Sequence, residues 1–410
     1  MQAREAALVL LDAVLRERRM LAHVNVPAEG AEAARASRLA ASVLRNLAAT
    51  DALLKRYVTR KPQIAVQNLL RLGTVELLVN GEEAHGVTDA MVGLAKASNR
   101  TRKASGMINA VLRKVATEGP AIWAELPPQR LPPWVDKALR KRIGADGIRA
   151  IEAAHAKAPP LDITPRAEGL DLPGAERLPT GSLRFHKPTQ VTALPGYADG
   201  AFWVQDAAAA LPARLLGNVA GKRVLDLCAA PGGKTMQLAA MGAQVTALDL
   251  SEDRMARVAE NLARTGLNVT LVTQDAFEHS ETYDAILLDA PCTATGTMRR
   301  HPDLPFVKSG KDVEPLTKLQ MRLLDHALGL LNPGGTLVYC TCSLLPVEGE
   351  FQITAALKRH GDLRVIPADP ATLGGEPDWA SAEGGLRLHP GLWPDLGGMD
   401  GFYMAALTRP

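Results

Sequence analysis

The sequence predicts an α/β protein in which a doubly wound, mostly parallel sheet over residues 201–410 is preceded by an all-helical domain over residues 1–120 and a small α+β region over residues 130–200. Three observations carry this prediction. From Val224 onward, short apolar runs alternate with longer segments of helical spacing, the pattern of a parallel sheet with helices on both faces. From Ala6 to Arg60, and again over residues 69–79 and 108–115, apolar residues recur at helical spacing. Pro127, Pro128, Pro132 and Pro133 punctuate the stretch between the two patterns and place a linker near residues 120–133.

In the helical domain the repeating positions are Leu8, Leu11 and Leu15, then Val43, Leu44 and Leu47, then Leu54 and Val58, with Gly81 and Gly106 near helix breaks. Helices are expected around residues 134–143 and 145–158, followed by short Pro/Gly-bounded segments that read as strands up to about Gly200. The candidate strands of the large sheet are 223–227, 244–250, 269–273, 285–289 and 336–340. A late pair, 363–366 and 402–407, is expected to form an antiparallel edge. The chain has no internal repeat or low-complexity tract.

Composition narrows the class. Among 410 residues, 47% are hydrophobic but only 4% aromatic, so aliphatic side chains must build the cores. No apolar run of about 18 residues occurs, and the first twenty residues carry charges throughout, so the expectation is a soluble cytoplasmic protein without membrane contact. The four cysteines, Cys228, Cys292, Cys340 and Cys342, lie in or beside apolar runs of so long a chain that a disulfide scaffold is not expected. No metal site is expected either, because Cys340 and Cys342 are one residue apart and no second CxxC or His pair follows at ligand spacing. The net charge of +3 hides an asymmetry: residues 1–115 carry +8 and the remainder −5. A basic helical module suits a phosphate backbone, although an ordinary solvated surface has the same signature.

The apolar run Val224-Leu225-Asp226-Leu227 leads directly into Cys228, Ala229, Ala230, Pro231, Gly232, Gly233 and Lys234, and then into a helix-forming stretch. In a doubly wound sheet such a turn sits at the carboxyl edge, where small residues let backbone approach a ligand. It has neither the GxGxxG nor the GxxxxGK[ST] spacing, which argues against dinucleotides and nucleoside triphosphates. Asp249 closes the next strand and is placed to accept hydrogen bonds from ribose hydroxyls; Asp275 ends the third and is placed for an adenine amino group. The fourth strand ends Asp289-Ala290-Pro291-Cys292 and the fifth ends Cys340-Thr341-Cys342-Ser343, so one pocket can hold Cys292 and Cys342 together. A thiolate suits covalent catalysis, but the residues alone leave the division of labour between these two thiols open. Cys228 and Cys340 read as small core residues.

Taken together, residues 225–235, Asp289-Ala290-Pro291-Cys292 and Thr341-Cys342-Ser343 closely resemble the signature motifs of the Sun (Nol/Nop/Sun, RsmB-like) family of RNA cytosine-5 methyltransferases. The run from Thr295 to Asp303 resembles the bacterial branch that modifies 16S ribosomal RNA, and Val43-Leu44-Arg45-Asn46, Leu70-Arg71-Leu72-Gly73 and residues 109–114 resemble a NusB-like RNA-binding domain. The resemblance implies a Rossmann-like domain that uses S-adenosylmethionine to make 5-methylcytosine in ribosomal RNA, unassembled or partly assembled, and a chain that works as a monomer. It implies that residues 228–234 form the cofactor loop, that Asp249 takes the ribose and Asp275 the adenine, and that Asp289 lies between cofactor and base. It assigns attack on C6 to Cys342 and product release to Cys292, the reverse of DNA cytosine methyltransferases, whose Pro-Cys cysteine attacks. Lys234, Arg299 and Arg300 are candidates for phosphate or cofactor contacts, and Arg254 reads as a neighbour of the cofactor or, in preference, as a helix-surface residue. Pro305-Phe306 departs from the basic and aromatic pair usual in the bacterial branch, so local RNA contacts there are expected to differ. Exocyclic-amine methyltransferases end the fourth strand in Asp/Asn-Pro-Pro-aromatic, and Ala290-Pro291-Cys292 lacks the aromatic. The alternative from another class is an RNA binder that kept the fold without the chemistry.

Overall fold

The computed structural model describes residues 1–410. It divides into a helical unit, Met1–Pro133 with Ile151–Ala158 and Met298–Ser309, and a sheet unit, Trp134–Ala150 with Pro159–Thr297 and Gly310–Pro410.

In the helical unit, α1 (Ala3–Leu15), α2 (Gly30–Arg45), α3 (Leu47–Leu54), α4 (Ile64–Leu78), α5 (Ala84–Ala97) and α6 (Ser105–Trp123) enclose one aliphatic core. Leu10, Leu11 and Val14 of α1 meet Leu39, Val43 and Leu44 of α2, Leu69, Leu72 and Val75 of α4, and Ile108, Leu112 and Val115 of α6. Their spacing of three and four gives each helix one apolar stripe. Leu8, Leu15 and Val58 lie at the margin of the core and are only partly buried. Buried charges are paired: Arg71 donates twice to Asp51, at 2.7 Å each, and Arg4 twice to the fully buried Glu76, at 3.0 and 2.9 Å.

The next element, α7 (Pro133–His155), bends at Gly144, whose φ of +65° interrupts it where the sequence separates two helices. Strands β1 (Leu161–Pro165), β2 (Glu176–Arg177), β3 (Leu183–Phe185) and β4 (Phe202–Val204) form a small antiparallel sheet in the order β2-β3-β1-β4. Its centre is a fully buried ion pair: Arg184 of β3 donates to both oxygens of Asp162 of β1, at 2.6 Å each, and to the carbonyls of Leu396 and Gly398.

The large sheet follows from α8 (Leu211–Leu215), β5 (Arg223–Leu227), α9 (Gly233–Ala240), β6 (Gln244–Asp249), α10 (Glu252–Thr265), β7 (Thr270–Thr273) and β8 (Tyr283–Asp289). After α11 (Leu304–Val307) come α12 (Val313–Gly329), β9 (Leu331–Thr341), α13 (Glu350–Arg359), β10 (Arg364–Ile366), β11 (Leu386–Leu388) and β12 (Phe402–Thr408). The strand order is β10-β12-β9-β8-β5-β6-β7, with β11 on β12. Strands β9, β8, β5, β6 and β7 run parallel, while β12 and β10 supply the expected antiparallel edge. Because β6 lies on one side of β5 and β8 on the other, the strand order reverses at β5, and the crevice over its carboxyl end is where such sheets bind ligands. Helix α10 shows the local logic: Ser251 caps its start, Glu252 and Asp253 face the positive end of its dipole, and Gly266 ends it at φ +61°. Its Met255, Val258 and Leu262 pack beneath the β5–α9 loop.

Helix α11 and its flanks belong to the helical unit. Phe306 and Val307 pack on that unit's core, Asp303 accepts the Leu21 amide at 2.7 Å, and the Phe306 carbonyl accepts Arg18 at 2.6 Å. Phe306 thereby takes part in the packing of the helical unit. No helix of the chain is long and apolar enough to cross a membrane.

Candidate active site

The loop between β5 and α9 is set by backbone that most residues disfavour, φ +65° at Cys228 and φ +95° at Gly232. A Cβ on Gly232 would also lie 3.0 Å from Val258 Cγ1. The neighbouring strand fastens the loop: the Ala229 amide donates to the Leu248 carbonyl at 3.0 Å, and Asp249, buried, accepts the amides of Ala230 at 3.1 Å and Ser251 at 3.0 Å. Arg254 is not a free helix-surface group, for its guanidinium turns back to donate to the Ala230 carbonyl and lies 3.6 Å from Asp249. Asp275 follows β7, exposed, and caps the next turn by accepting the Phe277 amide at 3.0 Å. Beneath the loop, burial pushes the Asp226 carboxyl up to about 7, opposed by the Thr235 hydroxyl that donates to it at 2.5 Å.

Asp289, at the carboxyl end of β8, accepts Lys234 Nζ at 2.7 Å through Oδ2 and the Cys340 thiol at 3.6 Å through Oδ1. Lys234 is buried, with Nζ 5.1 Å from the Phe402 ring centroid. Burial opposes its charge, and Asp289 more than restores it, so the ammonium titrates above its ordinary range. Lys234 is thus ion-paired with Asp289. Arg299 is no exposed phosphate ligand: it is buried within the helical unit, where its carbonyl accepts Arg45 at 2.8 Å. Cys340, read from sequence as a plain core residue, is buried among apolar side chains yet aims its thiol at the central carboxylate.

Cys292 and Cys342, both half-buried, come together with their sulfurs 3.5 Å apart. Their strands pair in parallel with Asp289 opposite Cys340, which brings the two strand-end loops side by side. The loops are also stitched directly, since the Gly296 amide donates to the Cys342 carbonyl at 2.9 Å and the Gly401 amide to the Gly296 carbonyl at 2.8 Å. A Cβ on Gly296 would fall 2.0 Å from the Gly401 oxygen, so only glycine permits this approach. The hydrogen bond with Cys342, burial and the nearby Glu348 hold the Cys292 thiol well above its ordinary pKa. Sequence reasoning missed Glu348, which is fully buried behind both loops. No group of three or more His, Cys, Asp or Glu side chains is placed to hold a metal ion. A separate cavity of about 760 Å³, lined by Thr164, Arg177, Arg214 and Gln237, contains none of the predicted site residues.

The crevice has a definite chemical preference. A glycine turn is flanked by Asp289, Asp249 and Asp275 at the ends of β8, β6 and just beyond β7. Carboxylates in that row suit a cationic nucleoside with free hydroxyls and repel a pyrophosphate. The residues present therefore fit S-adenosylmethionine.

Fold and crevice together define an S-adenosylmethionine-dependent methyltransferase. Among solved structures, a methyltransferase homologue from Pyrococcus horikoshii superposes with a TM-score of 0.55 at 29% identity, over 67% of this chain and 94% of that one. The same fold occurs in NSun6 of P. horikoshii with SFG, an S-adenosylmethionine analogue: TM-score 0.57, 20% identity, 68% of this chain and 98% of that one. The chain belongs to the 16S rRNA methyltransferase RsmB/F family, whose model matches residues 213–408, and the NusB family model matches residues 1–117. Ribosomal RNA small subunit methyltransferase B of Pseudomonas syringae pv. tomato is 38% identical to it, over 84% of this chain and 81% of that protein.

Proposed function

We propose that this chain transfers a methyl group from S-adenosylmethionine to C5 of a cytosine in small-subunit (16S) ribosomal RNA, through a covalent bond between Cys342 and C6. The observation that carries this reading is the pair of Cys292 and Cys342 sulfurs 3.5 Å apart at the ends of neighbouring strands. The names of the relatives and the NusB match support the RNA address.

Residues 228–234 and Asp249 would hold S-adenosylmethionine, with Asp275 near its adenine. When bound, it supplies an electrophilic sulfonium methyl. Cytosine C5 is a poor nucleophile, and the protein's task is to change that. The Cys342 thiolate forms a bond to C6, and the electrons of the C5–C6 double bond move onto C5, which can then take the methyl. The C5 proton leaves to water, its electron pair restores the double bond, and the C6–S bond breaks to return the Cys342 thiolate. Cys292, held above its ordinary pKa, keeps its proton and directs it at the Cys342 sulfur, which stabilises the departing thiolate. Asp289, paired with Lys234, is an acceptor for the cytosine amino group. Stacked or paired RNA hides C5 and C6, so the target cytosine must be unpaired or flipped out.

The test is transfer of labelled methyl from S-adenosylmethionine to unmodified small-subunit RNA, followed by digestion to nucleosides. All label is expected in 5-methylcytidine. Label in an N-methylated nucleoside would overturn the C5 assignment, and RNA binding with no transfer would identify a binder without chemistry.

A further inference from the structure

The geometry points to Glu348 as the positioning residue that fixes the distance between the two thiols, an inference that rests on the proposed use of both in one reaction. Glu348 is 0% exposed, and so are Thr293, Ser343 and Gln320 around it. Its Oε1 accepts the Thr293 amide at 2.9 Å and Gln320 Nε2 at 3.0 Å, and its Oε2 accepts the hydroxyls of Thr293 and Ser343 at 2.5 Å each. A carboxylate offers about four lone-pair sites, and all are taken. Thr293 immediately follows Cys292, and Ser343 immediately follows Cys342. One saturated carboxylate therefore ties both cysteine loops to a single point.

The surrounding bonds serve the same end. Gln320 also donates to the Pro291 carbonyl at 2.8 Å, the residue before Cys292. The Glu348 carbonyl accepts Tyr339 Oη at 2.9 Å and Thr341 Oγ1 at 3.1 Å, the residue before Cys342. Each thiol is thus flanked on both sides by residues bonded to Glu348 or to its partner Gln320. With every lone pair occupied by a donor, Glu348 has no site left to take a proton from substrate. Its role is reach, and the charge makes the four bonds strong.

Reach and charge can be separated by substitution. Glu348→Asp keeps the charge but shortens the arm by about 1.5 Å, so it cannot hold both loops. Glu348→Gln keeps the length; its oxygen can serve Thr293 N and Gln320, while its amide can donate to the two hydroxyls, which also accept. In the full-length chain, diamide serves as the probe: it takes two electrons and two protons as the Cys292–Cys342 disulfide forms, and peptide mapping follows the rate. Urea unfolding reports whether each variant is folded.

The expected order is wild type, then Glu348→Gln, then Glu348→Asp, both for the disulfide rate and for kcat, with little change in KM for S-adenosylmethionine. A displacement on the order of 1 Å lowers kcat about 10²-fold, and Glu348→Asp should show a loss of that size. A folded Glu348→Asp protein with wild-type disulfide rate and kcat would overturn the inference. So would Glu348→Asp retaining more activity than Glu348→Gln, since that order marks a base. Failure of the cytosine reading would look different: the labelled nucleoside would change while the disulfide rates kept their order.

Discussion

Cys342→Ala is expected to abolish methyl transfer, whereas Cys292→Ala is expected to stop turnover after attack, so that protein and RNA accumulate as a covalent complex. The two outcomes differ because, in the proposed mechanism, the two sulfurs lie 3.5 Å apart but act in different steps. Without Cys342 no bond to C6 forms, C5 stays a poor nucleophile, and labelled methyl should not be incorporated. Without Cys292 the attacking thiolate remains, but the proton directed at its sulfur from 3.5 Å is gone, and departure of the thiolate loses its support. Loss of acid or base assistance at a single step typically costs about 10²- to 10⁴-fold, enough for the adduct to become the dominant species. Denaturing gel electrophoresis with labelled RNA reads this directly: a slow-migrating band with Cys292→Ala, and none with Cys342→Ala or the double variant.

The largest effect on stability is expected at the small sheet. Asp162 and Arg184 are both 0% exposed, and Asp162→Ala would strand the guanidinium in the interior, bonded to the Leu396 and Gly398 carbonyls but without its carboxylate. Breaking one side of such a buried pair costs about 3–5 kcal/mol. Against a total stability of about 5–15 kcal/mol, that is sufficient to leave a substantial unfolded fraction at moderate urea. Asp162 also accepts the Ala207 amide at 3.1 Å, so the same substitution loosens the entry to the large sheet. Combining Asp162→Leu with Arg184→Met is expected to recover part of the loss, because removing both charges leaves no uncompensated charge, while the Ala207 amide and the Leu396 and Gly398 carbonyls still lose these partners. Urea midpoints of the single and double variants measure this difference.

The fold was legible because each large-sheet strand carries its own apolar run and the helices their own spacing; β5 was expected at residues 223–227 and is found at Arg223–Leu227. Strand β11 escaped because three residues, Leu386–Leu388, are too short to show alternation and owe their pairing to β12. The kink at Gly144 was visible as a helix break, while the packing of Phe306 with the helical core was not, since it depends on residues nearly three hundred positions away such as Arg18. At the site, sequence order placed Asp289, Cys292 and Cys342 at strand ends but gave no account of what side chains do there. Lys234, a candidate for phosphate or cofactor contacts, pairs with Asp289 across 55 residues, which no local pattern signals, and Cys340, read as a core residue, sets its thiol on the same carboxylate. Glu348 had no local signal at all. It sits in a short stretch of turn, and its four bonds reach Thr293, Gln320 and Ser343 from three separate segments.

The direct test of the covalent claim is to give the wild-type protein small-subunit RNA transcribed with 5-fluorocytidine, whose C5 cannot release a proton, together with S-adenosylmethionine. The trapped complex is digested and its cross-linked peptide mapped by mass spectrometry. The account predicts a fluoro-methylated nucleotide on the peptide bearing Cys342. A nucleotide on Cys292, or turnover of ordinary RNA with no adduct on the fluorinated one, would contradict it.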